Sequence, residues 1–340
     1  MRHCCYAEAL GLSRRLDSAN LNVAIGRRSV RRLRAPQTLA KIVMKLDGLG
    51  SLIGDYVSVM KPPIALLNVF VGIAAVLLAV GIGVPLLAVA AVAAAGFLSA
   101  AGAGAINCYI DRELDRRMTR TRYRPIPAGR ISAGHILSFG LVLSFAGVGL
   151  AAVYLNLLTA FFIGMGIFWY IFVYTLWLKP RTKWNIVIGG AAGCFSALAG
   201  WSGVTGGVSM IGLLVAALIF LWTPGHFWGL AIAKAQDYVK GDVPMMPVVE
   251  GVSRASLYTA VSNFLLFPFT AWLFVLTVNW STLILPILVG AILVALNAKF
   301  LIANIRLLKE RSAMSAWKVF KLSASYLFVT LILIVLGHLL

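Results

Sequence analysis

Charge is scarce in this chain. Only 12% of its 340 residues are Asp, Glu, Lys or Arg, about half the share in a soluble domain, while 61% are hydrophobic. That balance excludes an ordinary water-soluble enzyme. Acidic residues are scarcer still, 11 against 30 Lys and Arg. The four cysteines (Cys4, Cys5, Cys108 and Cys194) give no disulfide framework and read as reduced thiols. The N-terminal segment lacks the apolar core of a secretory signal, and no internal repeat is evident.

What the chain does have is apolar length. Runs of about 20 residues recur, each able to cross roughly 30 Å of hydrocarbon. They lie near 64–82, 85–108, 134–154, 157–178, 186–204, 208–232, 255–278, 282–303 and 322–338. The expected fold is therefore all-α: a polytopic membrane protein, a bundle of about nine transmembrane helices around a central cavity opening toward the cytoplasmic side. The run at 186–204 holds five glycines, which predicts a tightly packed interior helix.

The charges support this count. Every Lys and Arg falls in the N-terminal segment or in the alternate connections 109–133, 179–183, 234–254 and 299–321. The turns between them carry no charge. By the positive-inside rule the N-terminus is cytoplasmic and Leu340 outside, in a plasma membrane rather than a mitochondrial inner membrane. The net charge of +19 follows from these loops and does not call for nucleic acid. It would also attract anionic lipid headgroups or substrates.

Residues 1–45 are basic and without apolar period, and they read as a disordered N-terminal extension ahead of a membrane domain over 46–340. Arg27, Arg28, Arg31, Arg32 and Arg34 give it a superficial likeness to a transit peptide, against which Glu8 and Asp17 weigh. Met44 would make a natural start. From Asp55 an amphipathic lead-in carrying Tyr56, Val57, Val59 and Met60 runs into Lys61-Pro62-Pro63 at the membrane interface.

Two polar clusters adjoin helix ends. In the first, Asn107, Asp111 and Asp115 are four residues apart, so on a continuing helix each step turns by about 40° and the three share one face. An amide oxygen and two carboxylates suit Mg²⁺, which binds through one or two carboxylates plus substrate phosphates. Arg112, Arg116, Arg117, Arg120, Arg122, Arg124 and Arg130 follow and could hold phosphate oxygens. The plainer account, a charged helix end with a positive-inside arginine cluster, stays open.

In the second cluster, His226 lies inside an apolar run between Trp222, Phe227 and Trp228. A histidine at membrane depth is costly. It is either a core histidine bonded to a neighbouring helix or a functional group, and among large aromatics it would suit a flat macrocycle as axial ligand. Asp237, three helical turns further on, is the expected partner of the first carboxylates across the bundle. Asp242 is off that face. Lys179, Arg181 and Lys183 end the fourth run, either as phosphate ligands or as a positive-inside loop. Together these parts describe a lipid diphosphate that departs with Mg²⁺ and arginine neutralising its charge. It leaves an allylic cation in an apolar channel to be trapped by an electron-rich acceptor.

The Asn107/Asp111/Asp115 spacing on such a bundle resembles the UbiA-type intramembrane prenyltransferases. Met118 to Arg130, Tyr174 to Lys179, Asn185 to Gly193, Trp222 to Trp228 and Asp237 to Val249 resemble their heme-farnesylating branch, and the likeness covers roughly 50–340. The resemblance implies farnesyl diphosphate as donor, heme B as acceptor, water addition and heme O as product. It also implies Mg²⁺ at Asn107, Asp111 and Asp115, diphosphate on Arg120, Arg124, Lys179 and Arg181, heme at His226, and a polar site completed by Asp237. Membrane lipid surrounds such a protein, and a heme A synthase or terminal-oxidase assembly factor would take its product. Pro224-Gly225-His226 departs from the family's Pro-Pro-His and predicts a looser helix around the histidine. Gly241-Asp242 replaces Ala-Gly, Phe195-Ser196-Ala197 replaces Phe-Pro-Pro, and a second Asp-x-x-x-Asp is lacking. Two alternatives remain: a sister prenyltransferase for a quinone precursor or glycerol lipid, and a non-catalytic heme-binding membrane protein.

Overall fold

The computed structural model describes residues 37–281 and 283–340, with side chains from Gly48 onward. Of the extension expected over 1–45, residues 1–36 lie outside these. The chain divides into two units, Met1–Gly48 and Leu49–Leu340. A first helix, α1 (Gln37–Val59), includes Met44 and ends in the second unit. That unit is a helical bundle, and among the described residues nine helical segments are long and apolar enough to span a membrane. It is a multi-pass membrane protein.

The spans are α2 (Pro62–Val80), α3 (Leu86–Ile110), α5 (Ala133–Tyr154) and α6 (Leu157–Phe168) with its continuation Trp169–Leu178. After them come α7 (Asn185–Gly189) with α8 (Cys194–Thr205), then α9 (Met210–Ala233), α12 (Gly251–Thr277), α13 (Ile284–Glu310) and α14 (Ala313–Leu339). Three short helices, α4 (Arg112–Arg117), α10 (Ala235–Lys240) and α11 (Met246–Val249), belong to the charged connections. The last span starts well before the expected 322, because Ser312 and Ser315 form a reciprocal capping box at its head.

Lipid offers no hydrophobic drive between helices, so close approach relies on small residues. A Cβ on Gly102 of α3 would stand 2.6 Å from the Gly140 carbonyl oxygen of α5, and Gly147 faces Ser99 and the Ala95 carbonyl in the same seam. Gly200 of α8 meets the Gly72 backbone of α2. The glycine-rich run is thus an interior segment as expected, but it is not one helix. Gly190–Gly193 winds as a 3₁₀ turn between α7 and α8. Thr223 and Ile219 of α9 press there, 2.8 and 2.9 Å from where side chains on Gly190 and Gly193 would begin. The central helix α9 runs unbroken through Pro224 and Gly225. The looser helix expected around His226 is not found.

Candidate active site

The first motif keeps its register across a break. The helix α3 stops at Ile110, Asp111 adopts φ −77° and ψ 0°, and α4 resumes at Arg112. The Asp111 N–H still bonds the Asn107 carbonyl (2.9 Å) and the Asp115 N–H the Asp111 carbonyl (2.7 Å), so the three side chains share one face. All three are buried.

Each of them meets a cation. Asn107 Oδ1 accepts from Lys61 Nζ, and its amide donates to Thr175 Oγ1 at 3.0 Å. Lys179 Nζ lies 2.5 Å from Asp111 Oδ2. Arg124 Nη1 reaches both oxygens of Asp115, at 3.0 and 2.7 Å. Burial holds the Lys179 ammonium below the usual lysine range despite the opposing Asp111 carboxylate. Burial also works to lower Arg124, but the Asp115 charge prevails and raises it.

Lys61 and Lys179 reach these partners through particular backbone. Lys61 takes a left-handed conformation (φ 53°) just before Pro62. Lys179 ends the Trp169–Leu178 segment, which is a π-helix and not the α-helix expected; the Lys179 N–H bonds Tyr174 O at 2.8 Å. Such segments widen a helix and recur at functional sites. Sequence reasoning missed Lys61, Thr175 and the two stacked tyrosines Tyr170 and Tyr174, whose rings lie 5.8 Å apart. The lone lysine before Pro-Pro was the available signal, but nothing local ties it to Asn107.

Asp237 meets the connection that follows the first cluster, at Thr119, and it is not on a continuous helix with His226. The chain breaks at Lys234 (φ −125°, ψ 27°), and Asp237 sits on α10. Its Oδ1 accepts from the Thr119 N–H at 3.1 Å, while Lys240 Nζ donates to Thr119 Oγ1 at 3.0 Å. Met118, Tyr238, Val243 and Met245 pack beneath, and Gly241 makes room for Leu114. Burial raises the Tyr238 hydroxyl above its ordinary range, and the charges of Arg120 and Arg124 oppose it. Arg120 is exposed but acts near that ring. Arg181 is spent on the Leu176 and Trp177 carbonyls (3.0 and 2.9 Å), and Asp242 is exposed.

Among the described residues no three Asp, Glu, His or Cys side chains converge on one point. The oxygens nevertheless fit Mg²⁺ held in its usual manner, by one or two carboxylates with phosphate oxygens supplying the rest. The flanking cations suit those phosphates.

From this polar end a cavity of about 250 Å³ runs into the bundle. Lys61, Tyr170 and Tyr174 stand at one part of it; Val92, Phe162 and Ile163 line its apolar part, and His226 its wall. The His226 ring is stacked on Trp222 (centroids 4.2 Å), with Phe320 tilted by 31° at 4.5 Å and Phe227 edge-on at 5.5 Å. Its Nδ1 is buried without a hydrogen-bond partner. Lys61, the partner of Asn107, and the histidine therefore border one space, polar at one end and apolar beyond.

The model of the UbiA prenyltransferase family matches residues 66–332. The chain is 42% identical over 234 residues to "Protoheme IX farnesyltransferase 1" of Cenarchaeum symbiosum, covering 69% of this chain and 77% of that one. It is 37% identical over 284 residues to a protoheme IX farnesyltransferase of Roseiflexus castenholzii; the match covers 83% of this chain and about half (52%) of that longer protein. The fold is similar to a UbiA homolog from Archaeoglobus fulgidus bound to GPP and Mg²⁺, with TM-score 0.61 and 17% identity over 82% of this chain and 99% of that one.

Proposed function

Given that the chain belongs to the UbiA prenyltransferase family, we propose that it transfers a farnesyl group from farnesyl diphosphate to a vinyl carbon of heme B. Water adds at the neighbouring carbon, giving heme O. One observation carries this reading: Lys61, which donates to Asn107 of the cation-paired motif, lines the same cavity as His226.

Asn107, Asp111 and Asp115 would hold Mg²⁺. Bound there, it would supply positive charge to offset that of the departing diphosphate. Lys61, Lys179 and Arg124 would pass from motif oxygens to phosphate oxygens, Arg120 would complete the cationic rim, and Arg181 would join it on leaving the Leu176 and Trp177 carbonyls. Asp237 holds the two connections together through Thr119, fixing the rim. The apolar walls take the prenyl chain and keep water from the allylic cation until the vinyl carbon reaches it. His226 contacts the heme. The charged connections set the N-terminus in the cytoplasm and Leu340 outside, and a heme A synthase or oxidase-assembly factor would receive the product.

The test is pigment analysis of membranes from a host lacking its own heme O synthase. Heme O that appears with the wild type and not with Asp111→Asn supports donor, acceptor and reaction together. Folded protein without heme O transfers the reading to a quinone-precursor or glycerol-lipid prenyltransferase.

A further inference from the structure

His226 is held from three sides, and two of the holders come from elements far away in the chain. The Trp222 ring stacks on the imidazole at 4.2 Å and the Phe320 ring lies tilted by 31° at 4.5 Å, and two rings so close to one imidazole cannot share a face of it without overlapping. Trp222 and Phe320 therefore close opposite faces. Each is itself anchored: Trp222 Nε1 donates to Ser323 O at 3.0 Å, and Phe320 stacks on Trp317 at 5.2 Å. Only the ring edge is left for a ligand.

The third side acts on the backbone. A Cβ at Gly225 would fall on Asn263 Oδ1 of α12, and 2.7 Å from its Cγ. The oxygen thus lies along the Cα–H bond that a side chain would replace, a place for a weak C–H···O contact. Its orientation is dictated from behind. Asn304 Nδ2 donates to Phe300 O at 2.9 Å, and Asn304 Oδ1 accepts from Asn263 Nδ2 at 2.8 Å. A flipped Asn263 would set two oxygens against each other. Oδ1 is consequently left toward Gly225, buried and without a conventional donor. A buried amide oxygen in that state is costly, and the residue it touches immediately precedes His226.

We propose that Asn263 and Phe320 are positioning residues for His226. Asn263 fixes the height and rotation of α9 through Gly225, and Phe320 fixes the plane of the imidazole. This rests on the reading of His226 as the heme contact. It also explains why glycine at 225 leaves α9 intact: the space of its absent side chain is filled by a pinned amide.

The experiment titrates ferric heme into purified full-length protein in nanodiscs and follows the Soret band together with the melting temperature. A second-sphere loss at a metal ligand costs about tenfold or more in affinity, so Gly225→Ala and Phe320→Leu should each weaken heme binding by about tenfold. Introduced into an Asn263→Ala background, Gly225→Ala should cost less than about twofold, the non-additivity expected of residues in contact. A merely structural role for the asparagine pair would lower the melting temperature without that rescue, and would overturn the proposal. Should Gly225→Ala fail to fold, a Soret band unchanged in Phe320→Leu overturns it equally. A wild-type band indifferent to His226→Ala overturns the heme-contact reading and the proposal with it. A His226-dependent band that ignores Gly225→Ala and Phe320→Leu overturns the proposal alone.

Discussion

The motif region and the histidine region follow opposite rules. At the motif end each polar side chain has a partner: Asn107 has Lys61, Asp111 has Lys179, Asp115 has Arg124, and Asp237 has the Thr119 amide. At the histidine end polar atoms are buried without one, namely His226 Nδ1, Trp228 Nε1 and Asn263 Oδ1. The first end is a set of exchangeable charges, suited to receive an anion and a cation together. The second is defined by shape, with aromatic rings and a pinned amide holding an imidazole whose polar atoms gain little from the protein. Each such buried unpaired group is costly, and here His226 Nδ1 belongs to the imidazole and Asn263 Oδ1 borders the glycine that precedes it.

The largest effects should separate the ends. Asp111→Asn removes one ligand charge and leaves Lys179 unpaired; turnover should fall by at least about 100-fold, as for other losses of transition-state charge stabilisation. The heme Soret band should stay as in wild type. A band lost along with turnover would mean the two ends are not separable. Arg124→Met strands a carboxylate that is 3% exposed. Removing one member of such a buried pair costs about 3–5 kcal/mol, to be read from thermal unfolding in detergent. Lys61→Met should be milder, because a charge-assisted hydrogen bond contributes about 1.5–3 kcal/mol. Affinity for a non-hydrolysable farnesyl diphosphate analogue should drop by roughly tenfold, with heme binding untouched. An unaltered affinity would take Lys61 out of the diphosphate set.

Legibility in the sequence divides along the same line. The spans could be read because hydrocarbon thickness dictates helix length whatever the packing. The motif could be read because helical spacing survives the break at Asp111 through two backbone bonds. What could not be read is where partners from elsewhere in the chain reshape a helix. The π-helix at Trp169–Leu178, the 3₁₀ turn at Gly190–Gly193 and the break at Lys234 leave no periodic trace. Gly225 shows the limit best. In isolation a glycine beside His226 predicts a looser helix, and only Asn263, on another span, reveals that its missing side chain is a seat. Lys61 and Phe320 escaped for the same reason, since their partners Asn107 and His226 sit on other elements.

The smallest predicted effect isolates pairing from burial. Arg130, like Arg124, holds both oxygens of a carboxylate, but through two nitrogens: its Nε and Nη2 reach Asp55 Oδ2 and Oδ1 at 2.8 and 2.9 Å, and it also meets the Tyr123 carbonyl at 3.1 Å. Here the arginine side chain is 46% exposed. Water solvates both groups when the pair opens, so Arg130→Met should cost less than about 1 kcal/mol and lose even that at high salt. Turnover should be close to wild type, because Asp55 lies on α1 outside the cavity wall. If Arg130→Met were instead as damaging as Arg124→Met, the ion pairs of the motif end would be acting as one structural network. Its charges would then not be free to leave their partners for a diphosphate, and the contrast between the two ends would fail.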